Sequence, residues 1–314
     1  MRFLTAKNIV TFVLLAISVF ALLIFFGNYS EIYQALLMIR VDVIALILVL
    51  TLMNYFLRYL KWNYFLRTLD IHIPFSSSML IFLSGLSMAI TPGKVGEVMK
   101  SYLLKQMYRI KIRRSLMVVV SERLTDVFGL AALCLIGLGT FWSQSYFLIV
   151  IFALIFASIF VFTDRTIFFK LCDLSKHIPL VRKHTATLKE MYGPSRKLFS
   201  FKSVLIGTGI SMISWFFECI ALYILLINLS VPASLFSSTF IFSFSSIFGS
   251  MFVLPGGLGA AEGSFVMLLL LTGTSKAVAS VATIVIRICT LFFGVGIGLV
   301  ALYYVNRRIN SHVL

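Results

Sequence analysis

The chain has 314 residues, of which 60% are hydrophobic and 12% charged, with a formal net charge of +16. Soluble domains carry roughly 25% charged residues. Apolar runs of about twenty residues recur along the whole length, which excludes a soluble globular protein and predicts an all-α polytopic membrane helix bundle, a single integral membrane domain over 1–314. The alternating ten-residue segments of an outer-membrane barrel are absent, and in a chain this apolar the positive charge belongs to cytoplasmic loops and anionic headgroups rather than to nucleic acid.

Arg2 and Lys7 precede an apolar run at 9–26. No small-x-small cleavage site follows in FFGNYSE, so an uncleaved first helix is expected, not a signal peptide. A short amphipathic stretch, 31–40, leads to a second helix at 43–60. Asn54, Arg58 and Trp62 share one of its faces at four-residue spacing. Lys61 and Trp62 read equally as interfacial anchors, a snorkelling amine beside a headgroup-level indole, or as part of a functional polar group with Arg58. Residues 76–90 are apolar but reach only about 22 Å at 1.5 Å per residue, short of a roughly 30 Å core. TPGKVGE, Thr91 to Glu97, then breaks the run, and the apolar piece after it, 98–104, is shorter still. A hairpin that enters and leaves by one side is predicted. Lys105, Arg109, Lys111, Arg113 and Arg114 put that side in the cytoplasm.

Residues 116–139 form a full span interrupted by SERLTD. Glu122 and Asp126 lie four apart on one face, with Arg123 three before Asp126. Residues 147–162 return to the cytoplasm, and 164–202 form a basic cytoplasmic connector. The next span, 204–229, carries Trp215 and Glu218. Residues 235–254 lead into a second break, LPGGLGAAEGS, and 265–272 are again too short to cross. The last span, 278–305, carries Arg287 and ends before Arg307 and Arg308. The outcome is six full spans plus two re-entrant or broken-helix hairpins in the cell (inner or plasma) membrane, with both termini cytoplasmic. Twenty of the 27 Lys and Arg then fall on the cytoplasmic side, the bias expected of that orientation.

Proline and glycine cannot maintain helical hydrogen bonds, and lipid offers no replacement partners, so each break must be buried in protein or line a wet cavity. The two breaks align with each other. Pro92, Gly93 and Gly96 match Pro255, Gly256 and Gly259 at a constant offset of 163, and Arg123 and Arg287 follow the prolines by 31 and 32 residues. The first break is entered from the cytoplasm and the second from outside. The halves, about 41–140 and 203–305, are therefore expected to form an inverted-topology repeat, as in alternating-access transporters.

Five acids (Glu97, Glu122, Asp126, Glu218, Glu262) and five bases (Arg58, Lys94, Lys100, Arg123, Arg287) fall in or near membrane segments. Unpaired, each would cost about 2.5–3.5 kcal/mol at mid-membrane. They either pair with one another and fix helix register, or line a polar cavity for a charged substrate. The glycines favour the cavity, since amides exposed at a half-helix N-terminus can cradle phosphate and arginine supplies bidentate phosphate contacts. Arg123 and Arg287 are expected to converge on one cavity with both breaks. Cys134, Cys172, Cys219 and Cys289 make no metal-type pair, and the four histidines fall in loops or near the C-terminus. No disulfide framework, metal or cofactor is expected.

PGKVGE, SERLTD and LPGGLGAAEG together resemble the transmembrane, flippase-like region of lysylphosphatidylglycerol synthase, over nearly the whole chain. In that family the region occurs fused to an aminoacyl-lipid synthetase domain and also alone. The resemblance implies a core at Pro92, Gly93, Gly96, Glu97, Glu122, Arg123, Asp126, Pro255, Gly256, Gly257, Gly259, Glu262 and Arg287, with Lys94 where the pattern takes Lys or Arg. Arg58 and Glu218 complete the candidate substrate site. The sequence ends at Leu314, short of a synthetase domain, so aminoacyl transfer is not expected. The resemblance implies movement of a lipid between leaflets, here a phospholipid or a polyprenyl-phosphate conjugate. Two other readings stand beside it. One is a membrane-embedded glycosyl or phosphoryl transferase with Glu122 or Asp126 as base. The other is an accessory subunit of a separately encoded synthetase or glycosyltransferase. The expected partners are a lipid with an anionic headgroup, such an enzyme, and further copies of this chain.

Overall fold

The computed structural model describes residues 17–26, 28–91, 97–138, 170, 196–251 and 254–311. Their regular structure is helical: α1 (Ile17–Phe26), α2 (Tyr29–Leu37), α3 (Val41–Thr68), α4 (Phe75–Leu86), α5 (Val98–Tyr108), α6 (Ile112–Gly137), α7 (Phe201–Asn228), α8 (Leu235–Met251), α9 (Ala260–Leu271), α10 (Lys276–Arg287) and α11 (Phe293–Ser311), the last two joined by a π turn at Ile288–Phe292. Among the described residues α3, α7 and the continuous rod Lys276–Ile309 are long and apolar enough to cross a membrane, and α1 with α2 provides a fourth candidate. Helix α6 has 26 residues, about 39 Å at 1.5 Å each, but carries the charges of SERLTD. The span predicted at 147–162, most of the 164–202 connector, and Pro92, Gly93, Lys94 and Gly96 of the first break lie outside the described residues.

Helix α3 shows why this sequence belongs in lipid. Its exposed face carries Leu46, Val49, Leu52, Met53, Phe56 and Leu60, while Thr51, Asn54, Arg58 and Lys61 are buried. A water-soluble helix has the reverse arrangement. The helix also runs on to Thr68, eight residues past its predicted end, so Lys61 and Trp62 are not interfacial anchors. Both are fully buried.

The two halves of the chain repeat one order of elements. Helices α3 and α7 each have 28 residues. Each ends in a left-handed residue, Asp70 at φ 56° and Ser230 at φ 57°. The next amide then closes the same turn: Ile71 donates to the Leu66 carbonyl at 3.0 Å, and Val231 to Leu226 at 2.9 Å. A shorter helix follows in each half, then a break, a short helix and a long one. Helices α3 and α7 lie antiparallel. The Arg40 amide at the start of α3 donates to Asn228 at the end of α7, and Lys197, just before α7, donates to Asp70 at 2.9 Å. That bond holds the exposed Asp70 carboxyl below the usual carboxylate range.

The halves interlock. Helix α8 packs on α6 of the first half, and α4 packs on α11 of the second, with α7 against both α3 and α6 between them. The apolar residues form two clusters. One holds Ile47 of α3 with Leu130 and Ala131 of α6. The other holds Tyr59 and Trp62 of α3 with Val118 and Val119 of α6. On α6 the charged residues Glu122, Arg123 and Asp126 fall along the chain between Val119 of the second cluster and Leu130 of the first.

The second break is a run of left-handed backbone, with Gly256, Gly257 and Gly259 at φ 62°, 69° and 87°. The chain folds back so tightly that a Cβ on Gly257 would stand 2.8 Å from the Gly249 carbonyl oxygen of α8. Gly257→Ala is therefore expected to cost at least the roughly 1–2 kcal/mol of a left-handed L-residue. Gly263→Ala on α9, where the added carbon meets nothing within 4 Å, should not destabilise. Thermal unfolding of the two variants in detergent checks the contrast.

Candidate functional site

Asp126 of α6 is the hub of one buried polar group. Lys61 Nζ of α3 lies 2.5 Å from its Oδ1 and donates also to Ser211 Oγ of α7 at 2.6 Å and to the Glu122 carbonyl at 3.2 Å. Ser211 Oγ and Trp215 Nε1 of α7 each donate to the same Asp126 oxygen at 3.1 Å. Arg123 Nη2 approaches its Oδ2 at 3.1 Å. One carboxylate thus ties together α3, α6 and α7.

A second group ties α5 to α6. Lys100 Nζ is 2.6 Å from Glu122 Oε2 and 3.7 Å from Glu97 Oε2, and Arg123 Nε is 3.2 Å from the same Glu97 oxygen. The lysine ammonium also lies 4.6 Å from the Trp62 ring centre, a favourable cation–π placement. Its stem crosses α4 at Gly85, where a Cβ would stand 2.7 Å from Lys100 Cγ. The third pair closes the second break. Arg287 Nε is 2.6 Å from Glu262 Oε1, and Arg287 Nη2 donates to the Gly256 carbonyl at 2.8 Å. Glu262 Oε2 accepts from the Gly259 amide at 2.7 Å, capping α9.

The predicted site residues divide accordingly. A cavity of about 90 Å³ is lined by Asn54, Tyr55 and Arg58 of α3, Glu97, Arg123, Trp215 and Glu218, Gly256 and Gly257, and Arg287. Arg123 and Arg287 thus face one space, together with the second break. A neighbouring cavity of about 200 Å³ shares Arg123, Trp215 and Gly257 and adds Asp126. Glu122 and Glu262 line neither cavity, because Lys100 and Arg287 hold them behind the wall. The expected glycine cradle is different in kind. The amides of Gly257 and Gly259 go to the Leu254 carbonyl and to Glu262, and Gly256 presents a carbonyl to Arg287. Gly256 and Gly257 line the cavity with backbone. Among the described residues no three His, Cys, Asp or Glu come together as a metal site would require.

Two charged groups stand apart. Among the described residues Arg58 has no carboxylate within ion-pair distance, and its guanidinium lies 5.2 Å from the Trp215 ring centre. Glu218 is 2% exposed and among the described residues accepts only from Thr51 Oγ1, at 3.3 Å. The sequence flagged both residues but gave no sign that they would be the unpaired ones. It also missed Ser211, Thr51 and Tyr55, hydroxyls with no spacing signal. Tyr55 donates to the Thr290 carbonyl, inside the π turn, a distortion frequent at functional sites.

These features define an integral membrane protein with a charged cavity built between broken and continuous helices. The chain belongs to the family described as the lysylphosphatidylglycerol synthase TM region, matched over residues 13–298. It is similar to two proteins of Methanothermobacter thermautotrophicus, each described as a UPF0104 membrane protein. Both are 24% identical, one over 81% of this chain and 83% of its own length, the other over 93% and 92%. A UPF0104 membrane protein of Methanocaldococcus jannaschii is 20% identical over 99% of this chain and 98% of its own.

Arg287→Met would leave the buried Glu262 without its cation, which is expected to cost on the order of 3–5 kcal/mol. Arg58→Met orphans no paired carboxylate and should lower the unfolding temperature far less. Equilibrium unfolding of the two variants measures the difference, and equal losses would place Arg58 among the structural pairs.

Proposed function

We propose that this protein moves a phosphate-bearing lipid between membrane leaflets, with the headgroup in the central cavity and the acyl or isoprenoid chains in the bilayer. The observation that carries this reading is Arg58, a buried guanidinium that lines the cavity with no acid in ion-pair contact among the described residues. A cation in that setting is costly unless an anion visits it, and a guanidinium matches phosphate oxygens in bidentate fashion. Arg123 supports the same reading, since it lines the cavity beside Glu97 and Asp126. Arg287 serves the break, because both of its engaged nitrogens are committed to Glu262 and Gly256.

The antiparallel α3 and α7, their matched turns and the exchanged packing of α4 and α8 support an inverted-topology repeat with two broken-helix hairpins, and the distribution of Lys and Arg supports cytoplasmic termini. Inverted repeats of this kind accompany alternating access. The transferase reading draws less support. Its candidate bases, Glu122 and Asp126, are each already engaged by a buried lysine. For an accessory role nothing in the geometry specifies a partner enzyme.

In reconstituted vesicles, the protein is expected to accelerate leaflet exchange of labelled anionic phospholipid or polyprenyl phosphate. Arg58→Gln should slow exchange at least about tenfold, the equivalent of one charge-assisted contact of roughly 1.5–3 kcal/mol, while melting like the wild type. No acceleration for any phosphate-bearing lipid would remove the reading. Single cysteines at positions 40 and 276 should label from outside, and those at 105 and 307 from the cytoplasmic side; any other pattern would contradict the inverted topology.

A further inference from the structure

Four of the five buried acids have a cation within 4 Å: Glu97 and Glu122 share Lys100, Asp126 has Lys61, and Glu262 has Arg287. Glu218 has none among the described residues, and it lines the cavity that Arg58 also lines. The groups around it are identifiable on every element packed against α7. From α3 come Thr51, Tyr55 and Arg58, the last two within electrostatic reach. Cys219 follows on α7 itself, and Cys289 faces from the π turn after α10. Helix α6 offers Asp126, already held by Lys61 and Arg123 and bonded to Trp215 one turn away. Helix α8 has no ionisable side chain. Helix α10 brings Arg287 to the same cavity, paired with Glu262, and Arg123 of α6 and Glu97 line it paired with each other. Near neutral pH, tyrosine and cysteine ordinarily keep their protons, so among the described residues Arg58 is the cation in that cavity without an ion pair, and its field acts on Glu218.

A carboxylate out of water, with one hydroxyl donor and no cation in contact, is relieved most simply by taking up a proton. An anion on Arg58 strengthens that tendency in two ways: it cancels the nearest positive field and adds a like charge to the same cavity. Linkage is reciprocal, so a proton on Glu218 must tighten anion binding by the same factor.

We infer that Glu218 is a proton site linked to phosphate binding at Arg58, so that a lipid headgroup enters the cavity with Glu218 protonated and leaves as that proton departs. The proton comes from cavity water onto a carboxylate oxygen, Thr51 bonding the other, and returns to water on release. Lipid movement is then driven by, and reports on, a proton gradient. This rests on the lipid-transport reading for its substrate but not for its chemistry.

The test is binding of dihexanoyl phosphatidylglycerol, whose phosphodiester does not titrate near neutral pH, to the purified protein by calorimetry from pH 5.5 to 9. Buffers of different ionisation enthalpy count the protons taken up. The wild type is expected to lose affinity as pH rises, by up to about tenfold per pH unit for one linked proton. Glu218→Gln should bind with a pH-independent Kd and no buffer dependence. Glu218→Asp, should the glutamine variant fail to fold, should retain a pH slope at a shifted midpoint. Arg58→Gln should weaken binding at least tenfold at every pH. A flat wild-type profile, or an unchanged slope in Glu218→Gln, overturns the inference. Dimethyl phosphate serves as the second ligand. If it binds with the same proton linkage while the lipid does not bind, the proton site stands and the lipid reading falls.

Discussion

The structure depends on a requirement that lipid imposes: a carboxylate at membrane depth must be satisfied by protein. Asp126 meets it with Lys61, Ser211 and Trp215 on one oxygen and Arg123 near the other. Those partners come from α3, α6 and α7, so satisfying one side chain fixes the mutual height and rotation of three helices. Apolar packing between helices in lipid does not supply such a register, because lipid tails are as apolar as leucine. Lys100 does the same for α5 against α6, and its path requires the absence of a side chain at Gly85.

The same requirement shapes the second break. Three left-handed glycines free the backbone from α8 and turn it into α9. Lipid would not tolerate the released groups. The protein takes them up internally: Glu262 accepts the Gly259 amide, and Arg287 donates to the Gly256 carbonyl. Arg287 and Glu262 are thus the parts that make an interrupted helix possible at that depth, and their charges neutralise each other within the wall of the cavity.

What this leaves over defines the interior. With the other acids paired, the cavity presents a cation from α3 and an acid from α7, on two antiparallel helices. Each half supplies one of them. A shift of one of these helices against the other would therefore change the environment of both groups at once.

Hydropathy, proline and glycine act over a few residues, so the sequence alone determined the membrane setting, the short apolar pieces around each break, and the set of charges that had to be reconciled. The match of Pro92 to Pro255 and of Arg123 to Arg287 is likewise local, and family membership follows from such motifs. The structure decided which charge met which. Nothing in the spacing of Lys61 distinguishes an amine that snorkels to the surface from one that turns inward; the difference is Ser211 and Asp126, brought to it by helices 65 to 150 residues away. The exchange of α4 and α8 between halves, the π turn beside Arg287 and the internal use of the glycine amides were invisible for the same reason. They are properties of neighbours in space, and pairing in a low-dielectric interior is settled only by distances of a few ångströms between side chains far apart in the chain.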